Sequence, residues 1–172
     1  MKTLLTINQQ GIIPDSSKQD SLSFRKREAA RAVLLDSNDQ VYLLNVSNHD
    51  YHKLPGGGID EGESIEKALM RELMEEVGCK AEIIKELGIV IEYRDFENGG
   101  LIQTSYCFLA RQVAEQTESS LEEGELDEGM YEVKAKNIEE AINLLQNDKP
   151  DNLEGKFIQK RDIAFLKAAI EN

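Results

Sequence analysis

The 172-residue chain carries 33 acidic and 20 basic side chains, a formal net charge of −13, and 40% apolar residues. That length and apolar content suit one compact domain with a substantial core, whereas so acidic a chain repels long nucleic acids and anionic membranes. The opening MKTLLTINQQG is too short an apolar run for a secretory signal, and no later stretch reaches the roughly 18 apolar residues of a membrane-spanning helix, so a cytoplasmic protein is expected.

Residues 1–28 read as an N-terminal polar lead-in, with Pro14, Ser16, Ser17, Ser21 and Ser23 interrupting any pattern, and residues 29–172 as one domain. Strands are expected at Ala29–Asp36, Val41–Val46 and Tyr51–Leu54, the first two joined by the Ser37-Asn38-Asp39 turn as a hairpin. A helix follows from Ile65 to Val77, with Ser64 as N-cap, Glu66 in the first turn and Gly78 just past the end. Ala81–Tyr93 and Leu101–Val113 carry β-branched and aromatic residues around Glu97-Asn98-Gly99-Gly100, the pattern of a long antiparallel pair. An acidic loop at 115–129 precedes a strand at Met130–Ala135, a helix at Ile138–Leu145 and a final helix at Phe157–Ile170, whose Phe157, Ile158, Ile163, Phe165, Leu166 and Ile170 suit a core. Mixed strands flanked by helices imply an α/β/α sandwich. Cys79 and Cys107 have neither metal-ligand spacing nor a disulfide pattern and read as reduced packing residues.

The chemistry concentrates on the first long helix. At about 100° per residue, Glu72, Glu75 and Glu76 fall within roughly one third of its circumference. Like charges at these spacings cost roughly 0.2–0.5 kcal/mol per pair, and the helix C-terminus disfavours anions further. On its own such a cluster reads as solvated surface charge, with Arg71 and Glu75 paired one turn apart. Its setting beside the packing residues Ile65, Ala68 and Leu69 points elsewhere, to a hard divalent cation such as Mg²⁺, or Mn²⁺ in its place.

Gly57, Glu63, Arg71, Glu72, Glu75, Glu76 and Gly78 stand in the order Gly, five residues, Glu, seven residues, Arg-Glu-apolar-x-Glu-Glu-x-Gly. This stretch resembles the Nudix box of the MutT-like hydrolases, departing from it only in Cys79, where an aliphatic residue is usual. The preceding Leu54-Pro55-Gly56-Gly57-Gly58 is similar to the family's entry into a loop–helix–loop. The resemblance implies a mixed α/β (α+β) fold, the α/β/α sandwich with a mixed β-sheet, and hydrolysis of a nucleoside diphosphate linked to another moiety. It implies Glu72, Glu75 and Glu76 as Mg²⁺ ligands, Glu76 or a loop glutamate as the group that orients or deprotonates water, and Glu63 with Arg71 as a brace between loop and helix.

Outside the box, Glu122, Glu123, Glu125 and Glu128 are candidates for an extra acid or base, against the plainer reading of a solvated acidic run. Arg31, His52, Lys53 and the glycines Gly56, Gly57 and Gly58 are candidate substrate contacts, with a surface ion pair the competing role for Arg31. Tyr51, Tyr93, Tyr106 and Phe108 are candidates for base stacking whose commoner role is core packing. Some ADP-ribose-cleaving relatives have a proline about sixteen residues past the box; Asp95 stands there, which disfavours ADP-ribose and leaves a nucleoside triphosphate, oxidised or not, as the expected substrate. An ADP-ribose or nucleotide-sugar pyrophosphatase and a nucleotide-sensing module without turnover are the alternatives. A calcium scaffold would show a DxDxDG-type loop, which the sequence lacks. Similar proteins are often homodimers, and the expected partner is otherwise a small nucleotide diphosphate derivative.

Overall fold

The computed structural model describes residues 1–14, 24–96, 99–114 and 116–171. Ser16, Ser17, Ser21 and Ser23 of the expected lead-in, and Glu97-Asn98 of the expected turn, lie outside the described residues.

One seven-stranded sheet runs β1-β5-β6-β2-β3-β4, with β7 also paired to β3. The strands are β1 (Thr3–Asn8), β2 (Arg25–Leu35), β3 (Val41–Val46), β4 (Tyr51–Lys53), β5 (Ala81–Phe96), β6 (Gly99–Gln112) and β7 (Met130–Ala135). The helices are α1 (Ile65–Val77), α2 (Glu123–Asp127), α3 (Ile138–Asn147) and α4 (Leu153–Glu171). The pairings β1–β5 and β2–β6 are parallel and the others antiparallel, so the sheet is mixed.

Alternation along β2 and β3 builds the sandwich. Ala30, Ala32, Leu34, Tyr42 and Leu44 pack with Ala68, Leu69, Leu73 and Val77 of α1. The intervening Val33, Leu35, Val41 and Leu43 pack with Ala141 and Leu145 of α3 and Phe157, Phe165 and Leu166 of α4. Burial on both faces explains why Ala29–Leu35 and Val41–Leu44 read as apolar runs, broken only by Arg31. Cys79 and Cys107 are buried free thiols, and burial raises the pKa of both. No helix among the described residues is long and apolar enough to cross a membrane.

Several expectations change. Thr3–Asn8, inside the expected lead-in, form edge strand β1 against β5, and β2 starts at Arg25 rather than Ala29. The acidic loop contains the short helix α2, closed by a reciprocal capping box between Glu122 and Glu125. The last helix begins four residues before Phe157, and Ile170 at its end is 49% exposed.

The β2–β3 hairpin also closes only at Leu35 and Val41, over a turn tied by Asp36, whose Oδ1 accepts the N–H groups of Asn38 (2.8 Å) and Gln40 (2.9 Å). Beyond that point β3 turns to β4 and β7, and the open edge of β2 is taken by the glycine loop. Ala30 N–H donates to the Gly57 carbonyl at 2.9 Å, Ala32 N–H to that of Pro55 at 3.1 Å, and Ile59 N–H to that of Glu28 at 3.1 Å. The loop is thereby laid along the strand that carries Arg31.

Candidate active site

Helix α1 has the expected limits. Ser64 Oγ accepts the Lys67 N–H at 3.3 Å, and Gly78, with φ of 61°, ends the helix while Cys79 N–H reaches back to the Leu73 carbonyl. Ala68, Glu72 and Glu76 recur every four residues, so the packing stripe that begins with an alanine continues into two carboxylates. Glu76 is 2% exposed.

The glycine loop meets these carboxylates. Gly56 N–H donates to Glu76 Oε2 at 2.5 Å, and Lys53 Nζ donates to Glu76 Oε1 at 3.1 Å. Gly56 has φ of +125°, and a Cβ there would run into the Ala30 carbonyl of β2, so both backbone shape and space require glycine. A Cβ on Gly57 would overlap the Glu72 carboxylate. The loop therefore forms a close-fitting cradle for the carboxylates of α1.

Arg71 joins loop and helix. Its Nε and Nη2 donate to the two oxygens of Glu63 (3.2 and 3.0 Å), and Nη2 also donates to the Gly58 carbonyl (3.0 Å). Nη1 donates to Glu72 Oε1 (2.8 Å) and Glu75 Oε2 (3.1 Å). The hydrogen bond from Arg71 holds the Glu63 carboxyl below its ordinary pKa, and the carboxylates around Arg71 raise its own, with Glu63 contributing most.

A cleft of about 180 Å³ opens beside this cradle. Its walls include Glu72, Glu75 and Glu76 of α1, Gly56, Gly57 and Gly58, Lys53, Arg27 and Arg31 of β2, and Glu122, Glu125 and Glu128 around α2. Desolvation raises the Glu72 pKa, assisted by the charge on Glu76. Glu125 is pushed up to about 7, chiefly by burial and then by Glu76, although the Glu122 backbone and Lys53 oppose the rise. Three crowded carboxylates, two of them desolvated, make an oxygen donor set that suits a hard divalent cation. As they lie, Glu72 and Glu75 share Arg71 while Glu76 takes Lys53, and among the described residues no three such groups already enclose an ion position.

Arg31 is 6% exposed, and its Nε and Nη1 have no hydrogen-bond partner. Burial lowers its pKa, as does the nearby Arg161. Arg31 lines the acidic cleft, and a buried guanidinium whose donors are not all paired suits an anionic oxygen.

Not every expected residue comes to the cleft. The His52 ring is held by Asp148 Oδ1 at 2.8 Å and by the Asn45 side-chain amide at 2.9 Å, and it is not among the lining residues; nor is Glu123. Tyr51 lines the cleft, whereas Phe108 is core and Tyr106 binds Glu28 at 2.6 Å. Sequence reasoning missed Arg27, Glu154 and Ile158 in the lining. Strand parity offered a signal for Arg27, since positions 27 and 31 face the same way on a strand. Glu154 and Ile158 depend on where α4 begins and packs.

A family model described as NUDIX domain matches residues 25–154. The chain is 30% identical over 138 residues to diphosphoinositol polyphosphate phosphohydrolase 2 of Mus musculus, covering 78% of this chain and 70% of that protein. It is 29% identical over 142 residues to diphosphoinositol polyphosphate phosphohydrolase 3-beta of Bos taurus, covering 82% and 80%. Among solved structures, a MutT NUDIX hydrolase from Burkholderia pseudomallei superposes with a TM-score of 0.53 at 20% identity (81% of this chain, 98% of that one). An ADP-ribose pyrophosphatase from Streptococcus suis gives 0.52 at 18% identity (83% and 91%), a likeness of fold. With the box intact and three quarters of its length matched, the chain belongs to the Nudix family and is a Nudix hydrolase.

Proposed function

We propose that this hydrolase cleaves a phosphoanhydride bond in a nucleoside diphosphate derivative, a nucleoside triphosphate first among them, with Mg²⁺ held by Glu72, Glu75 and Glu76. The observation that carries this reading is the fit of carboxylates to glycine loop: Glu76 takes the Gly56 N–H, and Glu72 lies where any side chain on Gly57 would be. Bound Mg²⁺ would neutralise charge on the diphosphate and make a water molecule more acidic. Arg31, in the cleft wall, takes a phosphate oxygen. Glu76, or Glu125 beside it, accepts the proton of the attacking water, with Lys53 between the two at 3.1 and 3.9 Å. Arg71 and Glu63 keep helix and loop in register.

Charge favours a substrate with few phosphates. The cleft presents seven carboxylates (Glu72, Glu75, Glu76, Glu122, Glu125, Glu128 and Glu154) against three cations (Arg27, Arg31 and Lys53). A metal-neutralised diphosphate fits that balance, whereas a ring bearing phosphates on every side would meet repulsion. The second reading, a diphosphoinositol polyphosphate, draws on the relatives' activity and on the exposed Arg25-Lys26 beside Arg27.

The test is a panel of nucleoside triphosphates, nucleotide sugars, ADP-ribose, dinucleoside polyphosphates and diphosphoinositol polyphosphate, each with Mg²⁺ in ¹⁸O-labelled water. Label position identifies the phosphorus attacked. Fastest turnover of a nucleotide supports the first reading, and fastest turnover of the inositol compound the second. Thermal stabilisation by a nucleotide without turnover would leave a sensing module.

A further inference from the structure

The second feature that shapes the cleft lies behind it. Strand β4 leads into the glycine loop, yet it is three residues long and pairs with β3 on one side alone. The amides of His52 and Leu54 are satisfied by carboxylates from the helical layer. His52 N–H donates to Asp148 Oδ2 at 2.7 Å, at the end of α3, and Leu54 N–H donates to Asp162 Oδ2 at 2.9 Å, on α4. Asp162 is fully buried and is itself fixed by Arg161, whose Nε and Nη2 donate to Oδ1 (2.6 Å) and Oδ2 (3.1 Å). Arg161 in turn stands 4.0 Å from Glu92 of β5, and Glu92 takes Arg94 at 2.9 Å. One edge of the loop's root is thus held by a buried ion pair rather than by a neighbouring strand.

Leu54 lies two residues before Gly56, whose N–H holds Glu76, and one after Lys53, whose ammonium binds the same carboxylate. A displacement at Leu54 therefore reaches both donors that fix Glu76. We infer that Asp162, through its hydrogen bond to the Leu54 amide, is a positioning residue for the carboxylate cradle, with Arg161 holding it in place; this rests on the reading of Glu76 as a metal ligand. Core packing alone does not require a carboxylate here, because Leu54 already sits among Val33, Phe157 and Phe165 in the apolar cluster. A buried charge pair is a costly way to fill space, and apolar replacements of such pairs are often tolerated.

Removing Asp162 alone would strand a buried arginine and confuse function with folding. The informative pair of variants removes both charges and differs in one acceptor: Arg161→Met with Asp162→Asn, and Arg161→Met with Asp162→Leu. Both chains lose the ion pair, but only the first keeps an oxygen for the Leu54 N–H. The readouts are amide hydrogen exchange at Leu54 and Gly56, Mn²⁺ affinity by electron paramagnetic resonance titration of the otherwise unliganded protein, and melting temperature. The expected result is that Asp162→Leu speeds exchange at both amides and weakens Mn²⁺ at least about tenfold, while Asp162→Asn restores both toward the parent value and the two variants melt within a few degrees of each other. Equal Mn²⁺ affinity in the two variants, at any level, overturns the positioning role. Glu76→Gln run alongside separates the two ideas: if it leaves Mn²⁺ affinity unchanged, the metal-site reading fails, independently of how the Asp162 pair behaves.

Discussion

Glu76→Gln tests the cradle most directly, because the side chain that is proposed to act is also the most buried of the three box carboxylates. The amide has the same shape and keeps an oxygen for the Gly56 N–H, now as a neutral hydrogen bond. Its NH₂ group, if turned to Lys53, offers no acceptor. Hydrogen bonds to charged groups contribute about 1.5–3 kcal/mol and neutral ones about 0.5–1.5 kcal/mol, so weakening one and losing the other costs a few kcal/mol gross. Relief of the repulsion with Glu125 offsets part of this, and Lys53 keeps Glu125 as a partner at 3.9 Å, which holds the net loss to about 1–2 kcal/mol, below the roughly 3–5 kcal/mol of a stranded buried charge. For a chain of this size that is a fall in Tm of roughly 2–8 °C. Typical domain stabilities of about 5–15 kcal/mol keep such a variant folded at 25 °C. A hundredfold loss of kcat corresponds to about 2.7 kcal/mol of transition-state stabilisation and cannot then arise from unfolding. The expected outcome is a loss of at least that size, measured by phosphate or nucleotide release under saturating Mg²⁺, with calorimetry on the same samples. Turnover within threefold of the parent would remove Glu76 from the chemistry.

Three other perturbations probe different parts of the cleft. Gly57→Ala drives a methyl group into the Glu72 carboxylate and should weaken Mn²⁺ binding about tenfold by titration, whereas unchanged affinity would show that Glu72 can move aside at no cost to the site. Arg31→Met removes a buried cation with unpaired donors beside Arg161, so Tm should hold or rise while kcat/KM falls at least about tenfold; a marked drop in Tm would assign Arg31 a structural role instead. Glu125 binds its proton more tightly folded than unfolded, so its contribution to stability is complete below about 4.5 and is lost as pH rises through about 7. In metal-free protein the Tm advantage of the parent over Glu125→Gln should therefore shrink between pH 5 and 8, and a flat difference across that range would contradict the raised pKa.

Much of the fold could be read from local pattern. The limits of α1 follow from three signals that act over one turn: the Ser64 cap, the apolar stripe at Ala68, Leu69, Leu73 and Val77, and Gly78 in the left-handed region. β3 and β7 have the limits expected from their composition because both are short and bounded by turn residues. The failures are equally physical. Thr3–Asn8 alternate too weakly to announce a strand and become one by pairing in parallel with β5, a long-range contact that no local signal encodes. The Ser37-Asn38-Asp39 turn announces a β2–β3 hairpin, but the glycine loop competes for the same strand edge and takes it from Ala32 downward.

The same distinction explains which site residues were legible. Those of the box sit on one helix and one adjoining loop: helical spacing places Arg71, Glu72, Glu75 and Glu76 on neighbouring turns, while Glu63 beside Arg71 was implied by the family resemblance. Arg94, Arg161, Asp162 and Glu154 come from β5 and α4, where each reads as ordinary surface charge. Tertiary packing buries the first three and leaves Glu154 at the cleft wall, bound to Arg94 at 3.1 Å. With Arg31 and Glu92 they make three guanidinium groups and three carboxylates in one connected region, so the charges cancel within it. Cancellation is what allows so many ionised groups to leave water. Yet hydrogen bonding within the set stays incomplete, with unpaired atoms on Arg31, Glu92, Arg94 and Arg161. Of these arginines only Arg31 lines the cleft, which makes it the one proposed above to meet a phosphate oxygen. The remaining pairs hold the loop root and the cleft wall in place, which a purely apolar layer would do without fixing the direction of any single amide.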